Sequence, residues 1–341
     1  MISHDKKINN IFFYWLLISM VLVFCIIIVG GLTRLTNSGL SITEWELFKG
    51  MLPPIKEKSW LEYFELYKKI PQYKLLNYNM SLDEFKIIFY WEYYHRVLGR
   101  IIGLFFLVPL CFFYLSKAIN KKYLRICLLI LLLIVLQGCL GWYMVKSGLV
   151  NDVTVSHYRL SLHLSLAFII ISIIFWLIIN IKYKTNKLFF IFSRKNLPFL
   201  VLVLFIYIQI ILGAFVSGLD AGRIYQTWPM MGDTFFPNDL IVENLKIFFN
   251  FDSHSLVQFY HRCLAYIITL YIIFISIYIF KKKKIYLYRP IKIIIFFILL
   301  QILLGILTLI SGLNIYLASA HQISSVLLVF STINLYYFYI K

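Results

Sequence analysis

Two short stretches of this chain place a histidine near the start of an apolar run. Residues 92–96 read Glu-Tyr-Tyr-His-Arg, and residues 258–262 read Gln-Phe-Tyr-His-Arg. Each of these histidines has a second one downstream, in a later apolar run. The four residues form two candidate pairs, His95 with His163 and His261 with His321.

If the apolar runs are membrane helices, all four histidines lie about 4 to 8 residues from the outer ends, roughly 6–12 Å deep. An ionisable side chain at that depth is costly and indicates a functional site. Two imidazoles from facing helices of a bundle can take both axial positions of a haem iron. A lone histidine is more often packed or part of a proton relay, but two pairs at one depth favour haem. Zinc would need more donor residues around each pair.

The residue three positions before the first histidine differs between the two stretches. It is Glu92 in the first and Gln258 in the second, and on a helix it shares the face of its histidine. A carboxylate beside a haem can donate or accept protons, whereas an amide cannot titrate. The difference predicts that the first half reacts and that the second only holds a cofactor. Alternatively, Glu92 pairs with Arg96 as a salt bridge at the helix start.

Four arginines lie near the outer ends of the histidine helices. Arginine binds carboxylates well, so these residues are candidate contacts for haem propionates. Their long side chains could equally extend to the membrane surface without any ligand. The candidates are Arg96, Arg100, Arg159 and Arg262.

The composition predicts a multi-pass membrane protein. Of 341 residues, 61% are hydrophobic and 14% are charged, whereas soluble proteins have about 25% charged residues. Eight apolar runs are long enough to span a bilayer. They cover approximately residues 11–32, 87–116, 124–143, 157–181, 197–219, 257–280, 290–312 and 315–340. The first run, which has no evident cleavage site after it, is expected to be a retained span rather than a signal peptide.

The distribution of charge predicts that both termini are cytoplasmic. In that orientation the inner segments hold 18 Lys and Arg residues and one acid, Asp5, while the outer parts hold 15 basic and 14 acidic residues. The net charge of +18 is therefore a topology signal with anionic lipid as a partner, and no nucleic-acid partner is expected. The lack of an Arg- and Ser-rich transit segment favours a bacterial plasma (inner) membrane.

Aligned phrases predict an internal repeat. Gln137 to Gly141 resembles Gln301 to Gly305, and each phrase is followed by Ser-Gly-Leu. The fold class is therefore all-α, with two pseudo-symmetric four-helix bundles, residues 1–182 and 183–341, related by an axis along the membrane normal. The long outer segments, about 33–86 and 220–256, are expected to cover the outer face, and the first to contain a short helix near Trp60 to Ile70.

Several longer stretches resemble the haem A synthase family of bacteria and mitochondria, and the likeness covers roughly residues 11–340. The matching stretches are Gly30 to Thr36 continuing through Ser38 to Trp45, Glu92 to Arg100, Met144 to Leu149, Ser156 to Leu160, and Ala214 to Gly222 with Thr227 to Pro229. Some members carry a cysteine pair in the outer loops. This chain has five cysteines, all in or beside apolar runs and without a CxxC motif, so it resembles the branch without that pair.

The resemblance implies a fold of two four-helix bundles and a division of labour between them. It implies that His261 and His321 are the axial ligands of a resident haem b. His95 and His163 would flank bound haem O, with Glu92 as the catalytic carboxylate. A ring methyl group of haem O would become the formyl group of haem A by successive hydroxylation, for cytochrome oxidase assembly. Haem O synthase and an electron donor are expected partners, and a homo-oligomer remains open.

Two other functions remain open from the sequence. A non-catalytic membrane carrier with two b-type haems would need the same histidines but not Glu92. A transporter with a histidine proton relay would bind no haem at all, and the matched depth of the histidines disfavours it.

Overall fold

The structure is a computed structural model that describes residues 6–44, 52–149, 153–240 and 245–340. Trp45, the last residue of the stretch from Ser38 named above, lies outside these residues. The helices are α1 (Lys6–Leu35), α2 (Glu57–Lys68), α3 (Pro71–Leu76), α4 (Leu82–Leu115), α5 (Lys121–Gly148), α6 (His157–Lys182), α7 (Leu197–Gly218), α8 (His254–Lys281), α9 (Tyr288–Ile310) and α10 (Ile315–Tyr339). Among the described helices, eight are long and apolar enough to cross a membrane. The predicted all-helical membrane fold is therefore confirmed.

Side-chain caps fix where several of the spans begin. Ser81 and Glu84 form a reciprocal capping box that starts α4, and Asn120, Ser253 and Asn314 cap α5, α8 and α10. Each cap satisfies backbone N–H groups that have no partner within the helix. The capping box starts α4 five residues before the predicted residue 87, so this helix extends well beyond the apolar run.

Three long helices end with the same backbone geometry. Lys117, Lys184 and Lys283 follow α4, α6 and α8 in the left-handed conformation, with φ near 50°. The next N–H group then donates to a carbonyl in the last turn, as from Ala118 to Phe113 at 3.1 Å. A lysine at this position also places a positive charge by the negative end of the helix dipole. These lysines are among those that predict a cytoplasmic side, and the sidedness stays a prediction.

The chain divides into two compact units, Met1–Ile174 and Phe175–Lys341, here called unit one and unit two. In unit one, α1 packs against α4, and α4 also packs against α5. Trp15 joins α1 to α4, because its indole N–H donates to the carbonyl of Phe105 at 3.0 Å. The pseudo-symmetry of the two halves and their different roles remain proposals.

In unit two, four helices close into a bundle. Helix α8 packs against α7 and α9, and α10 packs against α9 and α7. Although α10 contains several hydroxyl residues, its mean hydropathy still reaches 1.3. Ser324 and Thr332 donate to carbonyls four residues earlier at 2.8 Å, so their hydroxyl groups are satisfied without water.

The outer segment of unit one folds onto the exposed start of α4. We call its described part, residues 37–44 and 52–81, the outer cap. Helix α2, which agrees with the predicted short helix, buries Trp60, Phe64 and Tyr67 against Phe85 and Phe89 of α4. The extra turns of α4 before His95 provide this docking surface, which explains why the helix starts so early.

The outer segment of unit two, residues 220–240 and 245–253, is here called the outer loop. Asp239 fixes it to the start of α8, because it accepts hydrogen bonds from Ser255 at 2.5 Å and Tyr225 at 2.6 Å. Burial alone would raise the pKa of Asp239. The hydrogen bonds lower that pKa by a larger amount, so it lies below the ordinary value. Both outer segments are therefore attached to the helices that carry the first histidine of each pair.

The outer cap should loosen at alkaline pH through Tyr67. This hydroxyl donates to Gln72 at 3.0 Å and accepts from Asn77 at 2.7 Å, and burial raises its pKa above 10.0. The neutral form then stabilises the cap fully below pH 10, and this contribution is lost as the pH rises through the folded-state pKa. Cleavage of the cap by subtilisin should rise above that pH.

The matched variant is Tyr67→Phe, which has no titrating hydroxyl. Below pH 10 the outer cap of this variant should be about 1 kcal/mol less stable than that of the wild type, as expected for lost hydrogen bonds. Its cleavage by subtilisin should rise less at alkaline pH. Identical pH profiles for the two proteins would contradict this assignment.

Candidate functional site

The structure brings the four predicted histidines together as two pairs. In unit one, the rings of His95 on α4 and His163 on α6 have centres 6.4 Å apart and planes inclined by 66°. In unit two, the rings of His261 on α8 and His321 on α10 have centres 6.5 Å apart and planes inclined by 77°. The two units thus repeat almost the same arrangement.

These separations suit a metal atom held between the two rings. An imidazole nitrogen binds a first-row metal at about 2 Å and lies about 1 Å from its own ring centre, so opposed ligands have ring centres about 6 to 6.5 Å apart. The observed 6.4 and 6.5 Å lie in this range. Both pairs therefore fit axial ligation of a planar metal cofactor.

Each histidine ring lies against a glycine of a neighbouring helix. A Cβ atom added to Gly30, Gly141, Gly213 or Gly305 would lie only 2.9 to 3.1 Å from Cε1 of the facing histidine. Any larger residue would displace the ring, so the glycines create the space that the imidazoles occupy. There are four such contacts, one for each histidine, so a glycine on a neighbouring helix defines the position of every ring.

Three of the histidine helices also receive a hydrogen bond from a glutamine. Gln137 donates to the carbonyl of His163 at 3.0 Å, Gln209 to that of His261 at 2.9 Å, and Gln301 to that of His321 at 2.9 Å. In the ring of His261, Nδ1 also lies 3.2 Å from the Gln209 amide. The buried Nδ1 atoms of His95, His163 and His321 have no hydrogen-bond partner among the described residues.

Glu92 is buried on the face of α4 that carries His95, with a side chain that is 3% exposed. It accepts hydrogen bonds from the Ser41 hydroxyl at 2.7 Å and the Ile42 N–H at 2.9 Å. Arg96 donates to it at 3.0 Å through Nε and at 2.5 Å through a second nitrogen. The salt bridge considered from the sequence is therefore present, and Glu92 also holds the outer cap.

Gln258 and Arg262 hold the outer loop of unit two in a similar manner. Gln258 donates to the carbonyl of Tyr225 at 2.9 Å. Arg262 donates to the carbonyls of Tyr225, Thr227 and Met230 at 3.0, 2.9 and 3.2 Å. In unit one the Glu92 carboxylate therefore accepts hydrogen bonds from the outer cap. In unit two the Gln258 amide and the Arg262 guanidinium donate hydrogen bonds to carbonyls of the outer loop.

The remaining candidates have different surroundings. Arg96 also donates to the Ile42 carbonyl at 2.8 Å, and Arg100 lines a small cavity of unit one with Arg96 and Tyr93. The guanidinium of Arg159 lies 4.9 Å from the centre of the Tyr143 ring. Their contact with propionates stays a proposal, and for Arg96 and Arg262 the structure shows an additional role in holding outer segments.

Two further histidines lie at helix starts. His157 begins α6, is buried and has its ring centre 4.0 Å from that of Tyr158. His254 is the first residue of α8. Within the described residues, no group of three or more His, Cys, Asp or Glu side chains forms a metal site, and the five cysteines are free thiols.

The glutamines and glycines that contact the histidines were not among the predicted site residues. The signal was the spacing Gln-x-x-x-Gly, present at 137–141, 209–213 and 301–305. At 137–141 and 301–305 the pattern indicates the internal repeat, but side chains four residues apart also share a helix face. The hydrogen bonds from Ser41 and Ile42 to Glu92 join residues about 50 positions apart, and no local pattern indicates them.

Comparison with known proteins identifies the family of the chain. The model of the COX15-CtaA family, described as cytochrome oxidase assembly protein, matches residues 13–333. The chain is 50% identical over 327 residues to the heme A synthase of Pelagibacter ubique, covering 93% of each chain. It is 41% identical to that of Rickettsia felis and 40% identical to that of Flavobacterium psychrophilum, covering 96% of this chain and 97% of each relative. The resemblance found in the sequence is confirmed, and the chain belongs to the COX15-CtaA family of cytochrome oxidase assembly proteins.

Proposed function

We propose that the protein is a haem A synthase, a membrane oxidoreductase that converts a ring methyl group of haem O to the formyl group of haem A by successive hydroxylation. The observation that carries the proposal is the pair of opposed imidazoles in each unit, with ring centres 6.4 and 6.5 Å apart. Relatives named heme A synthase at up to 50% identity support the same reaction.

Unit two is the proposed site of a resident haem b, with His261 and His321 as its axial ligands. When bound, haem b supplies electron transfer to or from the reacting site. The glutamines Gln209 and Gln301 fix the two ligand helices, and Arg262 holds the outer loop over the start of α8. These residues keep both ligands in place and shield the site from water.

Unit one is the proposed site of haem O. His95 and His163 bind the substrate from opposite sides, and Glu92 is the catalytic carboxylate on the same helix face as His95. Hydrogen bonds from Ser41 and Ile42 keep the Glu92 carboxylate in one orientation, on the face of α4 that carries His95. The nearby Arg96 and Arg100, with Arg159, are proposed to bind the propionates.

The cellular setting follows from the same reaction. A bacterial inner membrane is the proposed location, since the relatives that match are bacterial. Haem O synthase, as supplier of the substrate, and an electron donor are the proposed partners. A homo-oligomer is compatible with the proposal but not required by it.

Replacement of Glu92 by Gln should stop formation of haem A while the spectrum of haem b is kept. The amide cannot take up a proton as a carboxylate does, and we expect product to fall by about 100- to 10,000-fold, the range typical for loss of a general acid–base group. Haem extraction followed by chromatography and mass spectrometry measures the product.

The control is Ser41→Ala, which removes one hydrogen bond to Glu92 and leaves the carboxylate held by Ile42 and Arg96. This variant should still form haem A. Wild-type yield from Glu92→Gln would exclude a catalytic role. Loss of product from both variants, with the outer cap open to protease in each, would show that Glu92 acts only as an anchor.

Replacement of His261 by Ala should remove the b-type spectrum, whereas His95→Ala should keep it. Loss of a residue that merely supports a metal ligand typically lowers affinity about 10- to 100-fold, so loss of the ligand itself should leave little bound haem. Optical spectra of both purified variants test this. The opposite pattern would reverse the roles of the units.

The same preparations test the second candidate function. A formylated haem extracted from cells that supply haem O supports the synthase. Haem b alone in both units would support the electron carrier.

A further inference from the structure

The four histidine sites differ in one feature that is independent of Glu92. In three of them, a glutamine four residues before the contacting glycine donates to the histidine carbonyl, at 2.9 to 3.0 Å. In the fourth, Gly30 of α1 contacts His95, but the residue four positions earlier is Ile26. The position that bears a hydrogen-bond donor in the other three sites is therefore apolar.

The neighbourhood of Ile26 shows what replaces the hydrogen bond. Its terminal methyl lies 3.6 Å from the position that a Cβ atom on Gly99 would take, and Gly99 is one helical turn after His95. Helices α1 and α4 are joined instead by Trp15, which bonds to Phe105 at 3.0 Å. Thr33 adds a long bond of 3.3 Å to Trp91. Within the described residues, no side chain donates to the His95 carbonyl.

A hydrogen bond of this kind fixes the height and rotation of a histidine helix relative to its neighbour. The carbonyl already accepts a bond within its own helix and uses its second lone pair for the glutamine. No water competes inside the membrane. The bond and the glycine contact together hold the ligand at two points. Among the described residues His95 has the glycine contact, at Gly30, but no glutamine bond to its own carbonyl, and α4 is joined to α1 at Phe105 and Trp91 instead.

The two units therefore differ in how many ligands are fixed. In unit two both His261 and His321 have a glutamine, as suits a site that retains its cofactor. In unit one only His163 has a glutamine, as suits a site that must admit a substrate and release a product. We propose that Gln137, Gln209 and Gln301 are positioning residues for their histidines, and that Ile26 leaves His95 as the exchangeable ligand of unit one. This inference rests on the proposed function in one respect, which is the explanation of why unit one would exchange its porphyrin.

The experiment measures loss of protohaem from the purified full-length protein, loaded with protohaem, to an excess of apomyoglobin. Wild type should show a fast phase from unit one and a slow phase from unit two. His95→Ala should abolish the fast phase and so assign it. Gln209→Leu and Gln301→Leu should accelerate the slow phase about 3- to 20-fold, the range typical of one hydrogen bond between membrane helices.

Ile26→Gln provides the complementary test, because it adds a donor instead of removing one. It should slow the fast phase by a similar factor, whereas Ile26→Leu should not. Thr308→Val is the control for the glutamine variants, since the Thr308 hydroxyl bonds only within α9, to Leu304 at 2.7 Å. The low-spin ferric EPR signal, which reports the orientation of the imidazole planes, should shift in Gln301→Leu but not in Thr308→Val.

A single phase in wild type, or unchanged rates in Gln209→Leu and Gln301→Leu, would overturn the proposal. An unchanged fast phase in Ile26→Gln would do the same, even if the other variants do not fold. Since protohaem is used and no haem A is formed, these results do not depend on catalysis. A protein that shows the expected rates but makes no haem A would refute the proposed function and leave this inference standing.

Discussion

The structure depends on the placement of two buried imidazole rings at a fixed separation within each unit. Burying an ionisable ring in a membrane helix costs free energy and indicates a functional site. This chain buries four such rings. Glycines at 30, 141, 213 and 305 make room for the rings, and the ring centres come to 6.4 and 6.5 Å. The long apolar helices and their caps serve to hold this spacing.

The outer segments depend on the same helices. The residue three before the histidine and the residue one after it both form hydrogen bonds with the segment that covers the start of the helix. In unit one this pair is Glu92 and Arg96, and in unit two it is Gln258 and Arg262. The outer cap of unit one presents hydrogen-bond donors, which suit the carboxylate of Glu92. The outer loop of unit two presents a carbonyl, which suits the amide of Gln258. Glu92 therefore holds the outer cap in addition to its proposed role in catalysis.

Much of the fold could be predicted from sequence because membrane helices follow from local hydrophobicity. The eight spans and the pairing of His95 with His163 and of His261 with His321 needed only apolar length and the repeat. The early start of α4 was missed, although Ser81 and Glu84 have the spacing of a capping box. The contacts of Glu92 with Ser41 and Ile42 could not be predicted, because they depend on how a long outer segment folds back. The glutamine contacts were readable in principle from the Gln-x-x-x-Gly spacing.

The central claim is that each unit holds a porphyrin metal between its two histidines. An experimental structure of the loaded protein with anomalous scattering at the iron edge tests it most directly. The account predicts an iron peak between His261 and His321, and a second between His95 and His163 when haem O is supplied. Iron bound away from these rings, or rings of one pair that point apart in the loaded protein, would contradict it.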